Sequence, residues 1–183
     1  MDIEDIIEHV KESILKHGEY MPTLFIEIAA TPEAQAELIL CGVMLPNTAD
    51  ERSAMLFGAG RQIGQSHQRR KLARVTFVCE MWMSEYRVKD GKPVKRVSPS
   101  KDPKRKEIVM IYTAHNTGGT MSHEMHSYEM IRTRDGSLID LLSYGEITVT
   151  QDGLLTSFLA GWDSAKLSDK KFAQMLVGKA GWN

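Results

Sequence analysis

The chain has 183 residues, of which 42% are hydrophobic and 26% charged, and its formal net charge at pH 7 is −1. This composition is typical of one ordinary globular domain and excludes a collagen, a coiled coil, a disulfide mini-protein and a disordered tail. No apolar run approaches the ~20 residues of a membrane span, and the acidic N-terminus is unlike a targeting peptide. Both cysteines, Cys41 and Cys79, lie in apolar stretches that suit buried, reduced thiols. We therefore expect a cytoplasmic protein without membrane contact.

The first third of the chain predicts a helix and two strands. Residues 2–17 carry apolar side chains at i, i+3, i+4 and i+7 spacing, with Asp2 as a possible N-cap and Gly18 directly after the helix. Two apolar runs, residues 23–30 and 37–45, then predict strands joined by a short connection, although the second run could be partly helical.

A second helix and a long strand follow. Thr48 and Glu51 have the spacing of a capping box, which predicts a helix over residues 49–67. Residues 72–83 alternate in a period of two, and one of the two sets of side chains is wholly apolar. This pattern is typical of a strand with at least one buried face.

Residues 84–106 have no long apolar run and contain three of the six prolines. Asp90 and Gly91 form a turn signal within this segment, so we expect a protruding basic hairpin or loop on a single domain of residues 1–183. Residues 107–114 are then apolar on both faces, which predicts a central strand.

The remaining elements are strands and one helix. Residues 121–132 predict a long strand with a partly polar face, and a turn leads from it to residues 138–142, with a further strand possible at 147–150. Ser168 is placed to cap a helix over residues 169–177.

Strands joined by short turns favour an antiparallel sheet. The sequence thus predicts an α+β fold, a single domain with a mainly antiparallel sheet of about five to six strands flanked by helices. The order αββαβββ…α also occurs in profilin-like and roadblock-like folds. This is an analogy of topology that carries no function with it.

Charge is distributed unevenly along the chain. Residues 1–60 carry a net charge of −8, residues 61–106 carry +10, and residues 107–183 carry −3. The blocks could neighbour each other in the fold and cancel, or the basic block could form a surface for an anionic partner such as nucleic acid. The candidate anion-binding or nucleic-acid-binding residues are Arg69, Arg70, Lys71, Arg74, Arg96, Lys104, Arg105 and Lys106.

The nearest approach to a catalytic or metal-binding cluster is formed by His115, His123, Glu124 and His126. Imidazole is a common transition-metal ligand, and a nearby carboxylate can orient it or act as a base. The string His-Glu-Met-His is one residue short of the zincin motif and falls in a predicted strand, where positions 123 and 126 face opposite ways. We therefore expect no convergent metal site and no cofactor.

Two further patterns have ordinary structural explanations. Gly58-Ala-Gly60-Arg-Gln-Ile-Gly64 departs from the spacing of a dinucleotide-binding loop and lies inside a predicted helix, which favours close helix packing or a break in the helix. Cys79 belongs to the apolar set of the strand over residues 72–83, which argues against a nucleophilic thiol.

The strand ending Cys79-Glu-Met-Trp-Met-Ser84 is followed, after the basic loop, by Ser98-Pro-Ser-Lys-Asp-Pro-Lys-Arg-Lys-Glu107. This combination of Trp-Met-Ser with a later Pro-Ser-x-Asp-Pro-x-Arg-x-Glu segment resembles a group of uncharacterised bacterial and phage proteins. The resemblance implies no activity, because that group has no assigned function.

The sequence favours a protein that acts by binding. The sequence shows no group of catalytic residues that would come together in the fold. Opposite charge blocks and a methionine-rich sheet instead favour association. We expect a non-catalytic interaction or accessory module that self-associates as a homodimer, with a protein partner also possible. Two alternatives stay open: a weak, sequence-independent nucleic-acid or anion binder through residues 61–106, and a small metal-dependent hydrolase that uses the three sheet histidines and Glu124.

Overall fold

The computed structural model describes residues 1–31, 34–84, 88–89, 92–93, 101–117, 120–148, 155–168 and 171. The helices are α1 (Ile3–His17), α2 (Ala49–Ser66) and α3 (Leu155–Ser164). The strands are β1 (Thr23–Ala29), β2 (Glu37–Gly42), β3 (Lys71–Met83), β4 (Val88–Lys89), β5 (Lys92–Pro93), β6 (Lys106–Thr117), β7 (Thr120–Arg132) and β8 (Leu138–Thr148). None of the described helices is long and apolar enough to cross a membrane.

Six strands form one antiparallel sheet in the order β2-β1-β3-β6-β7-β8. The helices flank this sheet, so the predicted α+β class is confirmed. β6 is an interior strand, as its two apolar faces predicted. Val109 and Tyr112 lie on its opposite faces, and neither is more than 2% exposed.

Each face of the sheet has its own hydrophobic core. α2 and α3 cover one face, here called the helix-pair face, where they pack against residues such as Phe77. α1 covers the other face, here called the α1 face, through contacts with Phe25, Val78 and Ile111. Because both faces bury apolar surface, β3 has five consecutive buried residues, from Val75 to Cys79.

Capping residues fix the starts of α1 and α2 as predicted. Asp2 and Asp5 form a capping box at the start of α1, and Thr48 and Glu51 form one at the start of α2. Gly18 ends α1 with φ at 83°, a left-handed conformation that glycine adopts without steric cost.

α3 was not predicted from the sequence. It crosses α2 at glycines: a Cβ atom on Gly60 would overlap the Phe158 carbonyl, and one on Gly161 would overlap the Phe57 carbonyl. The glycine-rich stretch of α2 therefore serves close helix packing, as we expected, because side chains there would force the two backbones apart.

The predicted helix over residues 169–177 falls largely outside the described residues. The Lys171 N–H donates to Ser168 Oγ at 3.4 Å, which is the contact expected of an N-cap.

β8 is one strand where two short ones were predicted, because it continues through residues 143–146 with shifts in its register against β7.

The predicted basic hairpin is described only in part. Val88 pairs with Pro93, and Lys89 with Lys92, around residues 90–91. Residues 85–87, 90–91 and 94–100 lie outside the described part of the chain.

Candidate functional site

The candidate basic residues separate into three places. Arg69 and Arg70 directly precede β3 and Lys71 is its first residue, Arg74 lies within β3, and Lys106 pairs with Met83 at its far end. At about 3.3 Å per residue, the two ends of β3 are about 40 Å apart. The structure thus does not bring the two basic clusters together. Arg96 lies outside the described residues.

The first cluster lines an open groove of about 920 Å³ between the β1–β2 hairpin, the start of β3 and α3. The cationic residues of its lining are Arg69, Arg70, Lys71 and Lys166, and the amide residues are Gln68 and Asn116. Its apolar lining side chains include Met121, Leu159 and Trp162 together with Ala29 and Ala73. Sequence reasoning found only the three consecutive basic residues. The others come from β6, β7 and α3, and no local pattern relates them.

Two of the four cationic residues that line this groove lie close to a carboxylate. Arg70 lies 3.5 Å from the Glu37 carboxylate, and Lys166 lies 3.4 Å from that of Asp163. The side chains of Arg69 and Lys71 are exposed at the rim. The lining as a whole is cationic, because Asp163 is the one acidic residue among the described lining residues.

Arg74 does not belong to this groove. It lies on the α1 face, where its guanidinium pairs with Glu27 and also donates to the Met1 carbonyl. The N-terminal ammonium group lies 3.1 Å from the same carboxylate. Partial burial raises the pKa of Glu27, but these two cations outweigh it and hold the pKa below its ordinary value. Arg74 is thus a partner in an internal ion-pair network.

The second basic cluster contacts the chain's own aromatic and acidic side chains. The Arg105 guanidinium lies over the Trp82 ring, 4.3 Å from its centroid. Lys106 lies 3.1 Å from the Glu129 carboxylate and 4.6 Å from the centroid of the Tyr144 ring. Lys104 is exposed.

The histidines of β6 and β7 divide between the two faces of the sheet. His115 Nε2 lies 2.7 Å from Glu124 Oε1 on the α1 face, where His126 also lies. His123 lies on the helix-pair face, with Nδ1 3.1 Å from the Tyr112 hydroxyl. Positions 123 and 126 therefore face opposite ways, as predicted. In the described part of the chain, no group of three His, Cys, Asp or Glu side chains could hold a metal ion.

Cys79 is 3% exposed in the core beneath α2 and α3. Burial raises the pKa of its thiol to about 12. The prediction that Cys79 points into the core is confirmed. The thiol is almost entirely protonated at neutral pH, which removes the nucleophilic form.

The edge strand β2 exposes apolar side chains at one end of the sheet. Leu38 and Leu40 project on the α1 face beyond the reach of α1 and are 40% and 55% exposed. The Met21 side chain, 65% exposed, lies against Gly42 at the end of the same row. Ile39 on the opposite face packs against the helix-pair core. The sequence predicted this strand but not its position at the edge.

Comparison with models of protein families, with curated proteins and with solved structures finds no match. The resemblance to bacterial and phage proteins stated above stays an expectation.

Proposed function

We propose that this chain is a non-catalytic interaction module that forms a homodimer through its edge strand β2. The observation that carries the proposal is the exposure of Leu38 and Leu40 on one face of an end strand. An end strand also presents a row of backbone N–H and C=O groups that a further strand can pair with. Apolar side chains and hydrogen-bonding groups at one edge together favour addition of a strand.

A second copy of β2 fits this edge in one register. In an antiparallel pair centred on Ile39, Leu38 of each chain stands opposite Leu40 of the other. Directly opposed residues of antiparallel strands project on the same face, so the four leucines form one apolar strip. A shift of the register by two residues would leave a leucine of each chain opposite Gly42 or Ala36. The sequence of β2 is therefore complementary to itself.

The other edge strand, β8, also exposes apolar side chains, at Ile139, Leu142 and Tyr144, but it is less suited to pairing. β8 has two register shifts against β7, and its Asp140 carboxylate lies 2.8 Å from the Lys11 ammonium group of α1. Bulges and charges are features by which proteins block edge strands. β2 pairs with β1 in one unbroken register, and its single charged residue is Glu37 at its start.

Both cysteines are compatible with a reducing compartment. Cys41 and Cys79 are free thiols, and Cys79 is buried. We therefore place the proposed dimer in the cytoplasm, where thiols stay reduced.

Light scattering coupled to size-exclusion chromatography tests the dimer over a range of protein concentrations. We expect the mass of a dimer for the wild-type chain and of a monomer for L38K/L40K, because the lysines would place like charges opposite each other. L15K is the matched control, since Leu15 is 66% exposed on α1 and lies away from β2. We expect this variant to remain dimeric.

The salt dependence distinguishes the proposed interface from association of the opposite charge blocks. Apolar and backbone contacts persist at about 0.5 M salt, where exposed charges are screened beyond a few ångströms. A wild-type chain that stays monomeric at high concentration, or a dimer of the folded double-lysine variant, would contradict the proposal. So would a dimer that dissociates in salt.

A further inference from the structure

We propose that the groove between the β1–β2 hairpin, the start of β3 and α3 binds a nucleoside di- or triphosphate. Four cationic residues and one acidic residue belong to its described lining, which therefore carries a formal net charge of +3. Its volume of about 920 Å³ lies within the usual range of small-molecule sites, about 300–1,000 Å³. Charge and size together suit a small polyanion.

Arg69 and Lys71 are the expected phosphate contacts. Both side chains are exposed at the rim, whereas Arg70 and Lys166 already lie close to carboxylates. Arginine can bind phosphate oxygens with two parallel hydrogen bonds, and lysine contributes a point charge. Arg69 lies in the turn before β3 and Lys71 is the first residue of the strand, and both residues line the groove.

The rest of the groove suits the organic part of the ligand. Met121 and Leu159 are half-buried and give an apolar wall. The Asn116 amide stands beside this wall, and its Nδ2 donates to the Leu72 carbonyl at 3.2 Å, which fixes its orientation. An apolar wall with one oriented amide can hold a base and hydrogen-bond to its edge. A bare sugar phosphate would leave the wall in contact with hydroxyl groups.

A nucleic-acid strand fits the groove less well. The next basic cluster lies at the far end of β3, about 40 Å away, so the cations do not continue as a track for a phosphate backbone. Trp162, the aromatic side chain of the groove, is only 5% exposed and offers little surface on which a base could stack. The described groove is a local site of the size of one nucleotide.

Titration calorimetry at low salt tests the proposal with ATP, GTP, CTP and UTP, with inorganic tripolyphosphate, and with a single-stranded oligonucleotide. We expect at least one nucleotide to bind at least tenfold more tightly than tripolyphosphate, because only the nucleotide contacts the apolar wall. We expect R69A/K71A to weaken this binding at least tenfold. The matched control K101A/R134A removes two exposed positive charges, also one lysine and one arginine, at the other end of the sheet and should change the affinity less than twofold.

Several results would overturn the proposal. Absence of binding by all four nucleotides would reject the site, and equal weakening by the two double variants would reduce it to general charge attraction. Tripolyphosphate that binds as tightly as the best nucleotide would exclude a role for the apolar wall. An oligonucleotide that binds more than tenfold more tightly than any nucleotide would identify a nucleic-acid surface instead.

Discussion

Phe25 and Leu40 stand directly opposite each other in β1 and β2, yet Phe25 is 3% exposed and Leu40 is 55% exposed. Both side chains project on the α1 face. α1 packs over Phe25, where the His9 ring meets it edge-on at 5.8 Å between centroids, and does not extend over the edge strand. One strand position therefore separates the hydrophobic core from an apolar surface that is open to a partner.

Alanine substitutions at these two positions should have very different effects on stability. F25A should lower the free energy of unfolding by about 3–5 kcal/mol, because it removes a ring from the core and leaves a cavity. L40A should lower it by less than about 0.5 kcal/mol in the monomer. Urea denaturation at a protein concentration too low for association measures both. Similar losses for the two variants would contradict the assigned position of α1.

The crossing of α2 and α3 predicts opposite outcomes for two glycines of one helix. G60A should destabilise the protein by about 1–3 kcal/mol, because its methyl group would push against the α3 backbone at Phe158. G58A should stabilise it by up to about 1 kcal/mol. A Cβ atom at Gly58 meets nothing within 4 Å, and alanine has the higher helix propensity. Thermal unfolding followed by circular dichroism compares the two variants. Destabilisation by both would indicate that glycine is needed along α2 for another reason.

Local sequence signals were sufficient for some elements and insufficient for others. The capping boxes and the Asp135-Gly136 turn, with Gly136 at φ 89°, depend on residues close in the chain, and the sequence shows them directly. α3 has no acidic residue in its first turn and contains Gly161, so its residues have weak helical signals of their own. It is held by packing against α2, which is a contact between distant parts of the chain.

In the candidate sites, too, a local sequence pattern marks some residues, whereas only the fold brings the others to the site. Arg69, Arg70 and Lys71 are consecutive, so the sequence could mark them as a basic cluster. Asn116 and Trp162 join them only because β6 and α3 pack near the start of β3, and no spacing rule predicts that. The position of Arg74 in the chain predicted that it belongs with this basic cluster. The alternation of side chains along β3 and the pairing of Arg74 with Glu27 place it on the opposite face.

The two cysteines should differ in reactivity. A thiol reagent at pH 8 should modify the half-buried Cys41 and spare Cys79, because a pKa of about 12 leaves only about one Cys79 thiol in ten thousand ionised. We expect one fast equivalent per native chain and two after denaturation. In C41S the fast phase should disappear, and in C79S it should remain. A fast phase in native C41S would show that Cys79 is accessible.

The pH dependence of stability should have opposite signs at Glu27 and Glu80. The Glu27 pKa is lowered in the folded protein, so this carboxylate stabilises the fold above its unfolded pKa of about 4.3 and loses that effect as the pH falls. Burial raises the pKa of Glu80, although the Tyr20 N–H donates to its carboxylate at 2.7 Å. Glu80 therefore stabilises the fold most below about pH 4.3, and this stabilisation declines as the pH rises through the folded pKa.

Denaturation of E27Q and E80Q between pH 3 and pH 7 separates these effects. At pH 7, E27Q should be about 1–3 kcal/mol less stable than the wild-type protein, because Arg74 and the N-terminus lose a charged partner. This difference should shrink as the pH falls to 3. Relative to E80Q, the wild-type protein should instead become more stable as the pH falls. A constant difference for E27Q across the range would mean that its carboxylate titrates alike in the folded and unfolded chains, and the ion-pair network at the N-terminus would then contribute no stability.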